Sequence, residues 1–579
     1  MPSVKRTHPR GPGLTYCALG TVMVLVVAVL AITAAQTPPP AIAELAPQAT
    51  KQITEAPAEQ TSSAGIADGG LGDGSATTTT EAPPEGPPVV RPRANRCVGS
   101  RQTEDPQSPP CVAFWEGKNG GATSKGVTAN EIRIALPCDN ADKNADIRAA
   151  GNKSPDCNKP DRYTQALEAY FNARYEFYGR KIRLIPYKHA GNNVACDKML
   201  ADATKVDAEI NAFASMSYGY QRGRESCYYH ELSRRKIISV QSSYLGVPAI
   251  DQAGLASFAP YEWTYFPTVE EIQVNLAEVM CKQLKDRAPA YAGGSEQFEA
   301  KRKFGLFTDT YSNGTPSVDD GPFLKATAAC GIEFDRFTGE AGGAPDGPAR
   351  AAIGKNALTS WRNNDITSIV CFCDHGFIIN GLMQQSDING YFPEYILQNY
   401  QGQENEYTAI DYGVTQQASH VIALRSWNKA LPREQMPYWL AEREGDPTFP
   451  ATDFNFDIGY WNLLLLVSGI QMAGPNLTPK TFEQALQRTQ FPNPGCGGPP
   501  VYQACVGFAG GSHSMIKDFT LVWWNPNENG VEYTGPNFRG TRGTAVQPLG
   551  GLCFVDQGLR YRRGQWPAGP PGFRDLPCR

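Results

Sequence analysis

Apolar residues in this chain fall into two patterns, one continuous and one periodic. The continuous run, Thr15 to Ala35, carries no charge and follows Lys5, Arg6 and Arg10. At ~1.5 Å per residue a helix of this run matches the hydrocarbon thickness of a bilayer. A cleaved signal has an apolar core of only about 7 to 15 residues, and basic residues mark the cytoplasmic side. The run therefore predicts an uncleaved signal anchor, with residues 1–14 a basic cytoplasmic tail, 15–35 a single transmembrane helix and the remainder outside the cell. Cleavage after Ala35 or Ala43, with secretion, is the alternative.

The periodic pattern starts after Gly126. Ile132 and Ile134 alternate within Glu131 to Pro137 and predict a strand. From Arg162 to Tyr178, Ala166, Leu167, Tyr170, Ala173 and Phe177 recur at helical spacing, and Gly179 supplies a stop. Strands follow at 181–187, 211–216 and 236–240, with helices at 198–210 and 221–235. A second series has a helix at 269–285, a strand at 303–308, a helix at 319–330 and strands at 331–336 and 366–373. Further on come a strand at 420–424, a buried helix at 456–472, a helix at 480–488 with Thr478 as N-cap and Pro479 as first residue, and a strand at 519–524. Such alternation predicts α/β architecture with open parallel sheets covered on both faces.

Length and composition refine this picture. A chain of 579 residues exceeds one hydrophobic core, and two lobes plus a tail fit it. Residues 36–96, dominated by Pro, Ala, Thr, Gly and Glu, hold too few large apolar side chains to offset ordering and predict a disordered linker. Its root-mean-square reach is roughly 45 Å. The net charge of -5 gives no basic excess for nucleic acid. Fifteen cysteines without C-x-x-C pairs point to disulfides in an oxidising compartment. Cys17 lies in the apolar run. Joining sequence neighbours pairs Cys97 with Cys111, Cys138 with Cys157, Cys196 with Cys227, Cys281 with Cys330, Cys496 with Cys505 and Cys553 with Cys578, although sequence alone leaves connectivity open. Cys371 and Cys373 remain over, because a bond between two residues on one face of a strand would be strained.

Several segments, in order, resemble the type I periplasmic-binding-protein superfamily, specifically the branched-chain-amino-acid-type (Leu/Ile/Val-binding-like) substrate-binding proteins of actinobacterial ABC transporters. They are GVTANEIRIALP at 126–137, YGRKIRLIPYKHAGN at 178–192, FAPYEWTYFPTVEEIQ at 258–273, KRKFGLFTDTYSNG at 301–314 and FDIGYWNLLLLVSGIQMAG at 456–474. The resemblance spans about Gly126 to Gln547. It implies two Rossmann-like lobes joined by about three crossovers, near Phe258–Tyr261, Gln401–Asp411 and Gly498–Val506. On that basis residues 97–125 form a disulfide-bonded extension, 126–258 and 405–500 the first lobe, 259–404 the second, and 501–579 complete the second lobe and form a C-terminal extension.

The resemblance also implies a ligand between the lobes, touched by loops at the carboxyl ends of the strands. In the first lobe these loops carry Ser215, Ser217, Tyr218, Ser242, Ser243 and Tyr244, whose hydroxyls suit an anionic head group. In the second they carry Tyr311, Asn313, Asp374 and His375. Asp374 can neutralise an ammonium group or cap the next helix. Tyr265 can wall the ligand or pack the hinge. Ala214-Ser215-Met216-Ser217 stands where the family usually has a Gly-rich stretch, which puts an amino-acid ligand in doubt.

Enzyme chemistry finds little support in these motifs. No G-x-S-x-G elbow, phosphate-binding Gly-Lys loop or H-E-x-x-H helix occurs, so no catalytic residue, cofactor or metal is expected. The cluster Cys371-Phe372-Cys373-Asp374-His375 offers metal-ligand chemistry, but oxidised cysteines outweigh it. The expected function is an extracytoplasmic solute-binding receptor for a small polar, amino-acid or amide-like ligand. It is expected to be monomeric and to work with an ABC permease. A membrane-anchored ligand sensor and a secreted hydrolase are the alternatives.

Overall fold

The computed structural model describes residues 97–98, 101–102, 105, 107–138, 162–190, 196–216, 226–241, 252–293, 300–310, 314, 316–340, 347–399, 402–404, 416–427, 436–448, 458–491, 504–508, 510–529 and 549–570. All of them fall within the unit Pro83–Arg579. The expected tail, transmembrane segment and linker at 1–96 lie outside the described residues. Among the described residues no helix is long and apolar enough to cross a membrane.

Alternating apolar residues build a first, wholly parallel sheet. Its strands are β1 (Glu131–Cys138), β2 (Lys181–Lys188), β3 (Ala214–Ser215), β4 (Ile238–Gln241) and β5 (Glu262–Thr264), in the order β2-β1-β3-β4-β5. Ile132, Ile134, Ile182 and Leu184 face one core, while Ala135, Ile185 and Tyr187 face another, as period-two side chains must. Helix α1 (Arg162–Arg174) closes the first core, and α2 (Cys196–Lys205) and α3 (Ser226–Arg234) close the second. Helix α1 stops short of the expected Tyr178 because the amide of Glu176 donates to Gln471 Oε1, 3.0 Å away, instead of continuing the helical ladder.

The second sheet repeats the order. Strands β6 (Phe304–Asp309), β7 (Phe334–Gly339), β8 (Ser368–Phe372), β9 (Glu394–Leu397) and β10 (Val421–Arg425) run parallel as β7-β6-β8-β9-β10. Two antiparallel strands, β11 (Thr520–Asn529) and β12 (Leu549–Phe554), extend it beyond β10. Helices α4 (Val269–Val279) and α5 (Gly321–Ala328) cover the face of Leu306, Val370 and Ile422. Helix α6 (Gly347–Asn363) and the turn Ile378–Met383 cover the face of Phe307, Ile369 and Ala423. A Cβ on Gly354 would lie 1.5 Å from the carbonyl oxygen of Gly381, so this packing requires the glycine.

The chain changes lobes at three places, each later than expected. Glu262–Thr264 was assigned to the second lobe but is β5 of the first sheet, because Ser239, Val240 and Gln241 supply it with ladder partners. Val421–Arg425, expected in the first lobe, is β10 of the second sheet, which moves that crossing past Arg425. Ser514 still pairs with Thr264, so the third crossing begins at Met515 rather than near Gly498–Val506. Backbone hydrogen bonds join the first and third crossings: Thr264 N to His513 O at 2.9 Å, Met515 N to Thr264 O at 2.9 Å and Ile516 N to Tyr265 O at 3.1 Å. The Trp427 ring, from the second crossing, packs 4.8 Å from that of Phe266.

After the second crossing, α7 (Pro437–Gly445), α8 (Ile458–Ala473) and α9 (Pro479–Arg488) return to the first lobe. Thr478 caps α9 in a reciprocal pair with Thr481, with Pro479 at the first turn as the sequence predicts. The N-terminal extension joins the same lobe through buried Asp105, which accepts from Tyr460 Oη at 3.1 Å, and Ser108, which lies 3.0 Å from Tyr175 Oη. Bonds Cys196–Cys227 and Cys281–Cys330 form as expected, with Cα atoms 5.6 and 5.9 Å apart. Cys111, Cys138, Cys505 and Cys553 are also bonded. Cys157, Cys496 and Cys578 lie outside the described residues, as does the side chain of Cys97.

At the amino end of the second sheet, Glu394 receives both Arg302 Nε and Nη2 at 2.8 Å, with Ser368 Oγ at 2.5 Å and Tyr291 N at 2.9 Å. Both ionic side chains are buried. Glu394→Ala leaves a buried guanidinium unpaired and is expected to lower stability by about 3 kcal/mol or more in urea unfolding. In the first lobe burial pushes the His513 imidazole below its ordinary value, and its Nδ1 lies 2.8 Å from Glu262 O. The folded chain therefore protonates this ring less readily than the unfolded chain, in which it takes up a proton below a pH of about 6.5. Stability carried by His513 is therefore present above that pH and lost as pH falls. In melting curves between neutral and mildly acid pH, His513→Asn is expected to decline less steeply than the unsubstituted chain.

Candidate ligand site

Both sheets reverse their winding beside their first strand, between β1 and β3 and between β6 and β8. Crossovers there leave towards opposite faces, the place at which open α/β sheets generally bind a ligand outside the carboxyl ends of the strands. In the second sheet Phe372 pairs with Thr308, which sets Cys373 and Asp374 beside Asp309 and Thr310. All four are buried.

Asp374 divides its carboxylate between two tasks. Oδ1 accepts from Phe377 N at 2.9 Å, capping the helical turn that His375 opens, and lies 3.5 Å from Arg350 Nη1. Oδ2 is buried without a hydrogen-bond partner, although the residue is only 4% exposed. A buried carboxylate oxygen left unpaired is costly, and a donor from outside the chain is the usual remedy. Gly376 makes room for Arg350, since a Cβ there would lie 2.4 Å from Nη1. Two further buried acceptors lack partners at the same edge, Gln398 Oε1 just past β9 and Ser317 Oγ in the turn after β6. Gln398 Nε2 donates to Cys371 O at 3.2 Å and Gln403 Nε2 to Cys373 O at 2.6 Å, which fixes the backbone leading to Asp374. An ammonium, amide or hydroxyl donor matches this edge chemically.

Cys371 and Cys373 are bonded to each other, contrary to the expectation that they remain over. Strand β8 ends at Phe372, so Cys373 already sits in a bend, and the Cα separation is 5.3 Å, within the range a disulfide spans. Bonded sulfurs are not thiolate ligands, which removes the sulfur donors from the metal reading of this cluster. Among the described residues no group of three or more His, Cys, Asp or Glu side chains is placed to hold a metal ion.

The other expected site residues are distributed unevenly. Ser215 ends β3, but its hydroxyl is turned inward, 2.7 Å from Tyr228 Oη, which in turn lies 2.7 Å from Tyr187 Oη. Burial raises the Tyr228 hydroxyl far above its ordinary value, so it keeps its proton. Tyr265 packs the hinge: its hydroxyl donates to Gln107 Oε1 at 2.5 Å and its ring stacks on Trp461 with centroids 5.7 Å apart. It lies in the core, and of the two roles offered by the sequence the packing one is observed. Ser217, Tyr218, Ser242, Ser243, Tyr244, Tyr311 and Asn313, and the side chain of His375, lie outside the described residues. Gln398, Ser317 and Arg350 were missed by sequence reasoning.

One cluster resembles a catalytic group. Glu262 is fully buried and takes His230 Nδ1 at 2.8 Å, Ser233 Oγ at 2.9 Å and Gln241 Nε2 at 2.8 Å. The serine donates to the same carboxylate oxygen as the imidazole, so no imidazole stands ready as its base. Instead Glu262 ties α3 and β4 to β5.

No protein-family model and no curated protein matches the chain. Among solved structures it is similar to an ABC-transporter solute-binding protein of R. palustris in complex with 4-hydroxybenzoate, at 11% identity and a TM-score of 0.48, over 72% of this chain and 96% of the other. It is similar to an ABC transporter substrate-binding protein of Desulfitobacterium hafniense in complex with Leu, at 15% identity and a TM-score of 0.43, over 68% of this chain and 98% of the other. The branched-chain amino acid transporter substrate-binding protein LivJ of Streptococcus pneumoniae, in complex with isoleucine, is similar at 14% identity and a TM-score of 0.44, over 68% and 97%. At these values the likeness by itself decides neither fold nor ligand. The two sheets of matching strand order and the three crossings are the chain's own features.

Non-reducing peptide mapping of the denatured protein checks the bond beside Asp374. A peptide spanning Cys371 to Cys373 is expected to resist alkylation until a reductant is added.

Proposed function

We propose that this chain is an extracytoplasmic solute-binding receptor that closes two lobes around a small polar ligand and performs no chemistry on it. The observation that carries this reading is the unpaired, buried Oδ2 of Asp374 at the winding reversal of the second sheet. A ligand with an ammonium, amide or hydroxyl donor satisfies that oxygen, and amino-acid or amide-like solutes combine such a donor with a small polar frame. Contact with both lobes favours the closed state by the extra interactions made there. In this reading an anchor at 15–35 and a linker at 36–96 hold the receptor outside the cell membrane, and an ABC permease is the partner that takes the solute from the closed form. A monomer is sufficient for this work.

A thermal-shift screen of the full chain against amino acids, amides, small acids and sugars tests the proposal. One ligand that stabilises and is not consumed is expected. At about 100 times Kd it adds roughly 2.7 kcal/mol to folding stability. Replacing Asp374 by Asn removes a charge-assisted hydrogen bond of about 1.5–3 kcal/mol, so affinity for that ligand should fall roughly 10- to 100-fold. Turnover of the ligand, or unchanged affinity in the variant, contradicts the proposal.

A further inference from the structure

The densest polar contact at the hinge comes from the C-terminal segment. Arg560 is nearly buried, as is Asp518, and its Nε lies 2.8 Å from Asp518 Oδ1. Nη1 donates to Trp427 O at 2.9 Å, and Nη2 donates to Ser426 O at 2.6 Å and Asp518 O at 2.9 Å. One guanidinium thus holds three backbone carbonyls, two at the start of the second crossing and one in the third. The Asp518 carboxylate in turn accepts from Cys505 N at 3.0 and 2.9 Å.

The segment carrying Arg560 is itself fastened to the second lobe. Phe519 and Tyr561 exchange backbone hydrogen bonds at 2.9 and 2.7 Å. Trp566 Nε1 donates to Asn275 Oδ1 at 3.1 Å, and Gly564 N donates to Glu278 Oε2 at 2.6 Å, both acceptors lying on α4. Trp427, whose carbonyl Arg560 holds, packs its ring against Phe266 of the first crossing. A planar fork with fixed N–H directions tolerates little rotation among its acceptors.

We propose that residues 559–567 act as a clamp on the hinge, in which Arg560 couples the second and third crossings and limits how far the lobes move. Bending at a hinge changes the backbone angles of a few residues. Here those residues include Ser426, Trp427 and Asp518, whose carbonyls the guanidinium keeps in one arrangement. Arg560 is a positioning residue, acting through the backbone carbonyls that it holds. This inference rests on the two-lobe hinge of the proposed receptor but does not require that its solute be known.

Hydrogen exchange of the full chain without added ligand tests it, comparing the unsubstituted protein with Arg560→Met and Arg560→Lys. In Arg560→Met, the amides of Thr264, Met515 and Ile516 and the peptide covering 421–427 are expected to exchange about tenfold faster. Peptides from β1 and β6 should remain within about twofold. Arg560→Lys keeps a charge beside Asp518 without the fork and should give an intermediate rate, which also serves if the Met variant does not fold. Uniform acceleration across both sheets, or crossing amides that exchange as before in the Lys variant, overturns the clamp. Because no solute is present, failure of the ligand screen leaves this result readable.

Discussion

A parallel sheet that grows outward in both directions from its first strand must send neighbouring crossovers to opposite faces. At that point no helix covers the carboxyl ends of the strands, and polar backbone and side-chain groups are left to find other partners. This chain makes the same reversal twice, in β2-β1-β3-β4-β5 and β7-β6-β8-β9-β10. Much of the remaining construction follows from it. Period-two apolar residues sort the strands onto four helical layers, two on each sheet. The unpaired oxygen of Asp374 lies just past the carboxyl end of β8, beside this reversal.

Two independent lobes would not make a receptor without a joint that is both narrow and ordered. The joint here is a short ladder between 264–265 and 513–516, packed by Trp427 and flanked by both extensions. Gln107 from the N-terminal side bonds Tyr265, and Arg560 from the C-terminal side holds Ser426, Trp427 and Asp518. Each extension thus supplies a buried polar partner to the hinge, where an unpaired hydroxyl or carbonyl would be costly.

Elements with a strong apolar period were legible in the sequence. Strands β1 and β2, helix α8 and the Thr478 cap of α9 lie where the pattern placed them. Helix α6 was not, because its buried face uses Gly354 and Ala357 beside Leu358 and Trp361, and small residues leave little hydrophobic signal. Strands β5 and β9 are too short for periodicity to register, and losing β5 displaced the first crossing. At the site, Asp374 could be found because it follows an apolar strand. Its divided carboxylate could not, since that depends on Arg350 and on the amide of Phe377. Cys371 and Cys373 show the same limit: their shared face was readable, but the bend after Phe372 that brings them together was not.

Closure around a guest is the claim on which the functional account stands, and lobe separation measures it directly. Position 200 on α2 and the exposed position 388 lie in different lobes, so dyes attached there through non-cysteine chemistry report on it by single-molecule energy transfer. Titrating the ligand found by the screen should replace one transfer efficiency by another, with a midpoint equal to the binding midpoint. Saturating binding with an unchanged efficiency would contradict the account.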